Sequence, residues 1–503
     1  MTDTQQPPAA TCYSSSYKAL VTLLLMLAYT LNSADRQVVA IIAQPMKVDL
    51  GLSDTQLGLL VGTAFAALYV VSGLVIARLA ERLNRVVIVS IALTVWSALT
   101  MLYGAAANFI QLLFVRMGVG IGEAGCTPPA HSLLSDYFEP SRRATALSVY
   151  SCGISFGYIL SAIVGGYVTL HYGWRATCVV LGIPGLIMAV AIKRLVREPR
   201  LGRAEPRNAV AGPPASPDRP RLRVSEEFSE LAAVARTLLL SWPVGNVVLG
   251  VIISTFAAQG SWAFVPAFFK RAYPLDYSTI GLAVGLAGGV PVGIGLVAGG
   301  VLSDFLGGRR ARWYTLVPAL GLAISTPLYV LAFLQTGWQA AALLLAVAGF
   351  FGYLSFGPTF GIAQNVVAPN RRATATALIY VLLNVIALAF GPLFTGWLID
   401  RLAEVNFTHT AGHGVFGWLR ALWYAHPSGG AFQTMCPGRS PIAAESAAVA
   451  ANCASALAQA SRQGIIVTVL IYAWAALHYL LGAVGLERVL RDASARNAAL
   501  SQP

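Results

Sequence analysis

The chain has 503 residues, of which 56% are hydrophobic and 11% charged, and a formal net charge of +13. So apolar a composition excludes an ordinary soluble globular protein and indicates a polytopic membrane protein. The excess of base does not mark a nucleic-acid interface, because the arginines fall in short loops between apolar runs rather than on a patch interleaved with aromatics.

Residues 1–17 read as a disordered N-terminus. The first apolar run, from Ala19 to Ala43, is too long for a signal-peptide core and has only Lys18 before it, so it is expected to remain as a first span. Further runs long enough to cross about 30 Å of hydrocarbon as helices follow at 56–78, 86–107, 111–134, 144–169 and 174–196, then at 241–270, 278–303, 313–335, 338–366, 372–400 and 462–485. The expectation is an all-α membrane protein of twelve transmembrane helices, six in 18–196 and six in 241–485.

Between the sets, 197–240 is rich in Pro and Arg and reads as a cytoplasmic linker with an amphipathic helix near Phe228 to Leu240. An insert at 401–461 separates the last two spans, and 486–503 forms a tail. Arginines follow spans 2, 4, 8 and 10 (Arg78, Arg82 and Arg85; Arg142 and Arg143; Arg309, Arg310 and Arg312; Arg371 and Arg372). The positive-inside rule therefore places both termini in the cytoplasm. Arginine outnumbers lysine 30 to 4, a bias that suggests a GC-rich bacterial gene and an inner-membrane location.

The insert then lies outside. Its Cys436 and Cys453 share one polar loop and are disulfide candidates. The stretch Val415 to Tyr424 has aromatics suited to the headgroup region. His409, His413 and His426 have no ordered ligand spacing, so no metal site is expected.

The two sets of spans repeat each other. Pro140-Ser141-Arg142-Arg143-Ala144-Thr145-Ala146 recurs as Pro369-Asn370-Arg371-Arg372-Ala373-Thr374-Ala375, an offset of 229 residues, which also carries Pro129 onto Pro358 and Gly120 onto Gly349. Such parallel repeats predict two pseudo-symmetric six-helix bundles with a site near the midplane between them.

Charges inside the spans mark that site. Span 4 carries Arg116 and Glu123, seven residues and about two turns apart, hence on one face. Span 1 carries Asp35 and Arg36. Ionisable groups at such depth normally face a bundle interior and pair. A rise of 1.5 Å per residue puts Asp35 ~25 Å along span 1 and Arg116 ~8 Å below the outer end of span 4, at one level. An Asp35–Arg116 pair is expected, with Glu123 and Arg36 able to exchange partners. Gly118, Gly120 and Gly122 should admit a close neighbour, and Pro128-Pro129 should break the inner end of span 4. At the repeat offset, Arg116 and Glu123 are replaced by Leu345 and Gly352, so the second half lacks these charges. Its candidate lining is aromatic: Trp262, Phe264, Phe268, Tyr353, Phe356 and Phe360.

With six plus six spans and the elements Ala77 to Arg85 after span 2 and Gly300 to Arg310 after span 8, the chain resembles the major facilitator superfamily. Gly300, Asp304, Gly308 and Arg309 follow its signature with one residue of extra spacing, whereas Ala77, Glu81 and Asn84 depart from it. The resemblance implies a cytoplasmic gate at Glu81, Arg82, Asp304 and Arg309. Within the superfamily, Asn32-Ser33-Ala34-Asp35-Arg36 and Arg116 through Gly120-Ile121-Gly122-Glu123-Ala124 are similar to the spinster family of lysolipid and sphingosine-phosphate transporters.

That resemblance implies a secondary transporter of an anionic or zwitterionic amphiphile. Arg36, Arg116, Asn32, Glu123, Trp262 and Tyr353 would bind substrate, and Asp35 and Glu123 would take up the coupling proton. A rival is a proton-coupled carrier of small organic anions or drugs, and a further alternative is a non-transporting lipid receptor. No catalytic residue is expected, since the spans offer no Ser-His-Asp or metal-ligand set and His131 and His478 stand alone. No nucleotide motif G-x-x-x-x-G-K-[ST] is present. No cofactor beyond the proton is expected, and the partners are the substrate and membrane lipids, with a monomeric protein.

Overall fold

A computed structural model describes residues 13–138, 146–147, 149–199, 224–368, 371–408, 432, 435–436 and 447–499, with side chains except at 74, 77–78, 81–82, 224–231, 372–373, 447 and 497–499. Among these residues eleven helical stretches are long and apolar enough to cross a membrane. One of them, Val149–Leu195, holds two spans. It turns at Gly173, whose φ of +83° is a conformation that side-chain-bearing residues avoid. Twelve spans result, six in each half, as the apolar runs predict.

Both ends of the described chain lie on one side, here the terminal face; the other is the distal face. Span 1 runs Ser15–Leu50, so the helix begins inside the segment expected to be disordered. The reason is a local cap and an anchor. Ser14 Oγ accepts the Tyr17 N–H at 3.2 Å, and Tyr17 Oη donates to the carbonyl of Leu195 at 2.9 Å.

Span 4 breaks where its prolines require. A helix over Phe109–Glu123 ends, and a second over Thr127–Tyr137 starts with proline in its first turn, where the missing N–H costs nothing. Span 10 breaks likewise, into Trp338–Tyr353 and Phe356–Val366. Thr127 and Phe356 are separated by the same 229 residues as the sequence repeat. The glycines of span 4 serve helix packing: a Cβ at Gly120 would lie 2.6 Å from the Phe65 carbonyl oxygen of span 2, and one at Gly122 2.8 Å from Trp96 Cβ of span 3.

The linker holds the expected helix, over Val224–Leu239, with Val234 and Leu238 buried against the second half. The insert is shorter than 401–461, because span 11 continues to Phe407 and the last span starts at Ala447. At 1.5 Å per residue a 36-residue helix such as Ala447–Gly482 is ~54 Å long and extends beyond the hydrocarbon. The tail forms a helix over Leu486–Ala499 whose Leu486, Val489 and Leu490 pack on the core. Cys436 and Cys453 are joined by a disulfide. The expected interfacial stretch 415–424 and His409, His413 and His426 lie outside the described residues.

Arg85, counted above among the loop bases, is fully buried. Its guanidinium pairs with Glu198 and, at 2.7 Å, with Asp136, tying the starts and ends of spans 3, 4 and 6 together at the terminal face.

Candidate functional site

The four charges of spans 1 and 4 converge in the first half. Asp35 is 5% exposed, Arg116 2% and Glu123 0%, so all three are removed from solvent. Arg36 Nε donates to Glu123 Oε2 at 2.5 Å. Arg116 Nη1 reaches Asp35 Oδ2 at 3.5 Å, a loose contact, while Asp35 Oδ1 accepts the Thr100 hydroxyl at 2.5 Å. The expected Asp35–Arg116 pair is thus present, and Glu123 is paired with Arg36. Glu123 is the last residue before the break in span 4, which its own prolines impose.

Aromatic rings complete the cluster. Phe65 of span 2 lies against both guanidiniums, 4.8 Å from Arg36 Cζ and 4.9 Å from Arg116 Cζ, and the Tyr69 ring is 4.6 Å from Arg36 Cζ. Each such contact draws a cation onto the negative face of a ring. Several polar atoms nevertheless lack hydrogen-bond partners: Asn32 Oδ1 and Nδ2, Arg36 Nη2, Arg116 Nε and Glu123 Oε1. Buried polar atoms are normally satisfied. An orphan donor and acceptor set centred on Asn32, Arg36 and Glu123 therefore fits a place where a polar ligand group sits.

The candidate residues of the second half are aromatic. Trp262 Nε1 donates to Tyr329 Oη at 3.3 Å, and Tyr353 lies within electrostatic reach of Tyr329, Tyr472 and the span 5 residue Tyr158, itself within reach of Arg36. Trp262, Tyr353, Phe356 and Phe360 are half-buried. Phe264 and Phe268 are core residues instead: they are 1% and 0% exposed, and Phe268 packs its ring on Phe269, Tyr273 and Phe333.

The expected gate is only partly described. Glu81 and Arg82 end the helix Ala64–Arg82, and their side chains lie outside the described residues. Asp304 accepts the Tyr314 hydroxyl at 3.0 Å, and Arg309 lies over the Phe305 ring at 5.2 Å, so these two engage neighbours in their own half rather than one another.

A second charged cluster, absent from the expectations, joins the halves at the distal face. Asp54, at the start of span 2, pairs with Lys47 of span 1 and, at 2.6 Å, with Arg271 of span 7. Arg271 also donates to Gln44 at 2.7 Å and Ser461 at 2.8 Å. The carboxylate of Asp400, from span 11, accepts the backbone N–H groups of Asp54 at 2.9 Å and Thr55 at 2.7 Å, capping the helix that opens span 2. Lys47, Asp54 and Arg271 are all buried. Charges at span ends read as topology signals in a sequence; only the placement of four spans at one point shows them as a seal. The clue was Lys47, one of four lysines, just past the first apolar run.

Glycines let the helices meet there. A Cβ on Gly58 would lie 2.2 Å from the Pro392 carbonyl oxygen, one on Gly396 2.1 Å from that of Asp54, and one on Gly281 2.0 Å from that of Ala162. Spans 2 and 11, and spans 5 and 8, thus pack backbone to backbone across the two halves.

The comparisons with known proteins agree with this architecture. Residues 25–392 match the model of the Major Facilitator Superfamily. The chain belongs to the major facilitator superfamily. It is similar to an MFS-type efflux pump of Mycolicibacterium smegmatis, 32% identical over 76% of this chain and 84% of that protein, and to the hexuronate transporter of Bacillus subtilis, 27% identical over 82% and 96%. Its structure resembles the crystal structure of a bacterial homologue of the human lysosomal transporter spinster in an inward-facing, unoccupied conformation. The TM-score is 0.77 and the identity 30%, over 96% of this chain and 99% of that one. This major facilitator chain is a multi-pass membrane transporter, similar to spinster, and not an enzyme.

Proposed function

We propose that the protein moves an amphiphile with an anionic or zwitterionic head group, of lysophospholipid or sphingosine-phosphate type, by proton-coupled alternating access. One observation carries this reading: Asp35, Arg36, Arg116 and Glu123 gather inside the first half, with atoms of Asn32, Arg36 and Glu123 buried there without a hydrogen-bond partner among the described residues. A head group would engage Arg36, Arg116 and Asn32, and the tail would lie along Trp262, Tyr353, Phe356 and Phe360. Arg36 cannot serve Glu123 and a substrate anion equally, so substrate binding releases Glu123 Oε2, which then takes a proton. Asp35 is the second proton site, poised between Thr100 and Arg116.

The sealed distal face, together with the similarity to an inward-facing structure, supports a resting state open to the terminal face, which we assign to the cytoplasm of a bacterial inner membrane. The protein would work as a monomer. Gating on the terminal side would use Glu81, Arg82, Asp304 and Arg309.

The test is substrate uptake into proteoliposomes under an imposed proton gradient. Wild-type flux should depend on the gradient, and Glu123→Gln and Asp35→Asn should uncouple it; wild-type coupling in both variants would overturn the assignment. The similarity to a hexuronate transporter favours a second reading, a carrier of small organic anions. Competition separates the two: lysolipids inhibit flux under the first, hexuronate-like acids under the second.

A further inference from the structure

A basic cavity on the terminal face takes no part in the transport pathway described above. It has a volume of about 470 Å³ and is lined by Arg310 and Arg312, from the turn between spans 8 and 9, and by Ala483, Gly485, Glu487, Arg488 and Arg491, from the end of the last span and the tail helix. Four guanidiniums and one carboxylate leave a local excess of positive charge. Among the described residues none of the four arginines forms an ion pair, and Glu487 takes none of them as a partner.

Topology alone does not require this arrangement. Arginines that orient a membrane protein can stand anywhere along a short loop, whereas here two segments well over a hundred residues apart are brought to one concavity. The tail helix is held there by its apolar face, with Leu486 buried and Val489 and Leu490 packed on the core, so Arg488 and Arg491 are presented by a fixed element. Like charges gathered without counter-ions repel, which the fold tolerates most readily when an anion joins them.

The surroundings indicate the class of anion. Val301, Phe305 and Val484 are each 64% exposed. The first two lie in the last turns of span 8, on the membrane side of Arg310, and Val484 sits between the lining residues Ala483 and Gly485. Trp313 and Tyr314, next to Arg312, are aromatics of the kind found at headgroup level. An apolar margin below a cluster of guanidiniums matches acyl chains below a phosphate. Arginine recognises phosphate oxygens through two parallel N–H donors.

We infer that Arg310, Arg312, Arg488 and Arg491 form a binding site for the phosphate-bearing head group of an anionic membrane phospholipid, separate from the transported substrate. Occupancy would pin the tail helix to the turn between spans 8 and 9, and so to the terminal end of the second half.

Native mass spectrometry tests this on the full-length protein exchanged into mixed micelles of phosphatidylglycerol and phosphatidylcholine. The wild type should retain phosphatidylglycerol in preference to phosphatidylcholine. Changing all four arginines to glutamine should reduce that preference at least about tenfold, since each basic residue near an anionic surface contributes on the order of 1 kcal/mol. The Arg310→Gln/Arg312→Gln and Arg488→Gln/Arg491→Gln pairs should each give an intermediate value, which keeps the test decisive if the fourfold variant does not fold. Elution profile and thermal melting report folding in every case. Equal phosphatidylglycerol retention by the wild type and both folded pair variants would overturn the site. So would displacement of the lipid by millimolar inorganic phosphate alone, because the pocket would then be one for a soluble anion.

Discussion

At the residue scale, the central cluster is held by contacts that differ in how replaceable they are. Among the described residues, Asp35 is the only acid paired with Arg116, and both are buried. Asp35→Ala should therefore cost about 3–5 kcal/mol, because it leaves a buried guanidinium uncompensated. The Asp35→Leu/Arg116→Leu double replacement should cost far less, and melting in detergent compares the two. Phe65→Ala should act differently. It removes a ring from two guanidiniums at once, each contact being worth roughly 0.5–2 kcal/mol, and should raise KM for substrate several-fold in uptake assays with little loss of melting temperature. Asp35, Arg36, Arg116 and Glu123 were legible in the sequence because a charge inside an apolar run is costly and conspicuous. Phe65, Tyr69 and Tyr329 were not, since an aromatic on a spanning helix looks the same whether it meets lipid, core or guanidinium. Thr100 was hidden for a related reason, a hydroxyl on a helix being able to satisfy itself on its own backbone.

At the element scale, the breaks in spans 4 and 10 followed from their prolines and from the repeat, and both fall at equivalent positions. The wide turns of spans 2 and 11 did not. Span 2 contains a π-helical turn at Leu59–Thr63 and span 11 one at Leu383–Leu388. No proline marks either turn, and each depends on what the facing helix offers. The two meet across the halves: Thr63 Oγ1 donates to the carbonyl of Ala389 at 2.6 Å, and a Cβ on Gly62 would lie 2.4 Å from that of Leu388. Such turns carry a local change of helical phase where the distal part of span 2 meets the middle of span 11. Close packing on the distal side makes a specific demand on glycine. Gly281→Ala would drive a methyl into the Ala162 carbonyl, 2.0 Å away, whereas a Cβ at Gly300 on the same span meets nothing within 4 Å. Gly281→Ala should lower stability by about 1–3 kcal/mol through forced separation of spans 5 and 8. Gly300→Ala should be neutral or stabilising by up to about 1 kcal/mol through helix propensity. Thermal melting of the two variants side by side decides whether the glycines are there for contact or for flexibility.

At the scale of the whole molecule, two charged clusters stand in different places, and only one of them joins the halves. The central one lies within the first half, on spans 1 and 4. The distal one spans the halves, and under the alternating access proposed above it must come apart for the distal face to open, so its strength would set the balance between the two conformations. Its members are unequal. Asp54 is buried with two cations bound to it, and Asp54→Asn leaves Lys47 and Arg271 buried without their acid. The closed distal face then loses about 3–5 kcal/mol, a shift of two or more orders of magnitude in the conformational equilibrium. Asp400 instead accepts the backbone N–H groups that open span 2. Asp400→Asn keeps an acceptor there and should cost only about 1 kcal/mol, roughly a fivefold shift. Double electron–electron resonance between labels on the distal ends of spans 1 and 7 measures both. Asp54→Asn should move most of the distance distribution to longer values and Asp400→Asn only a minor part of it. Equal, small changes in both would mean that the glycine contacts, not the ion pairs, hold the distal face shut.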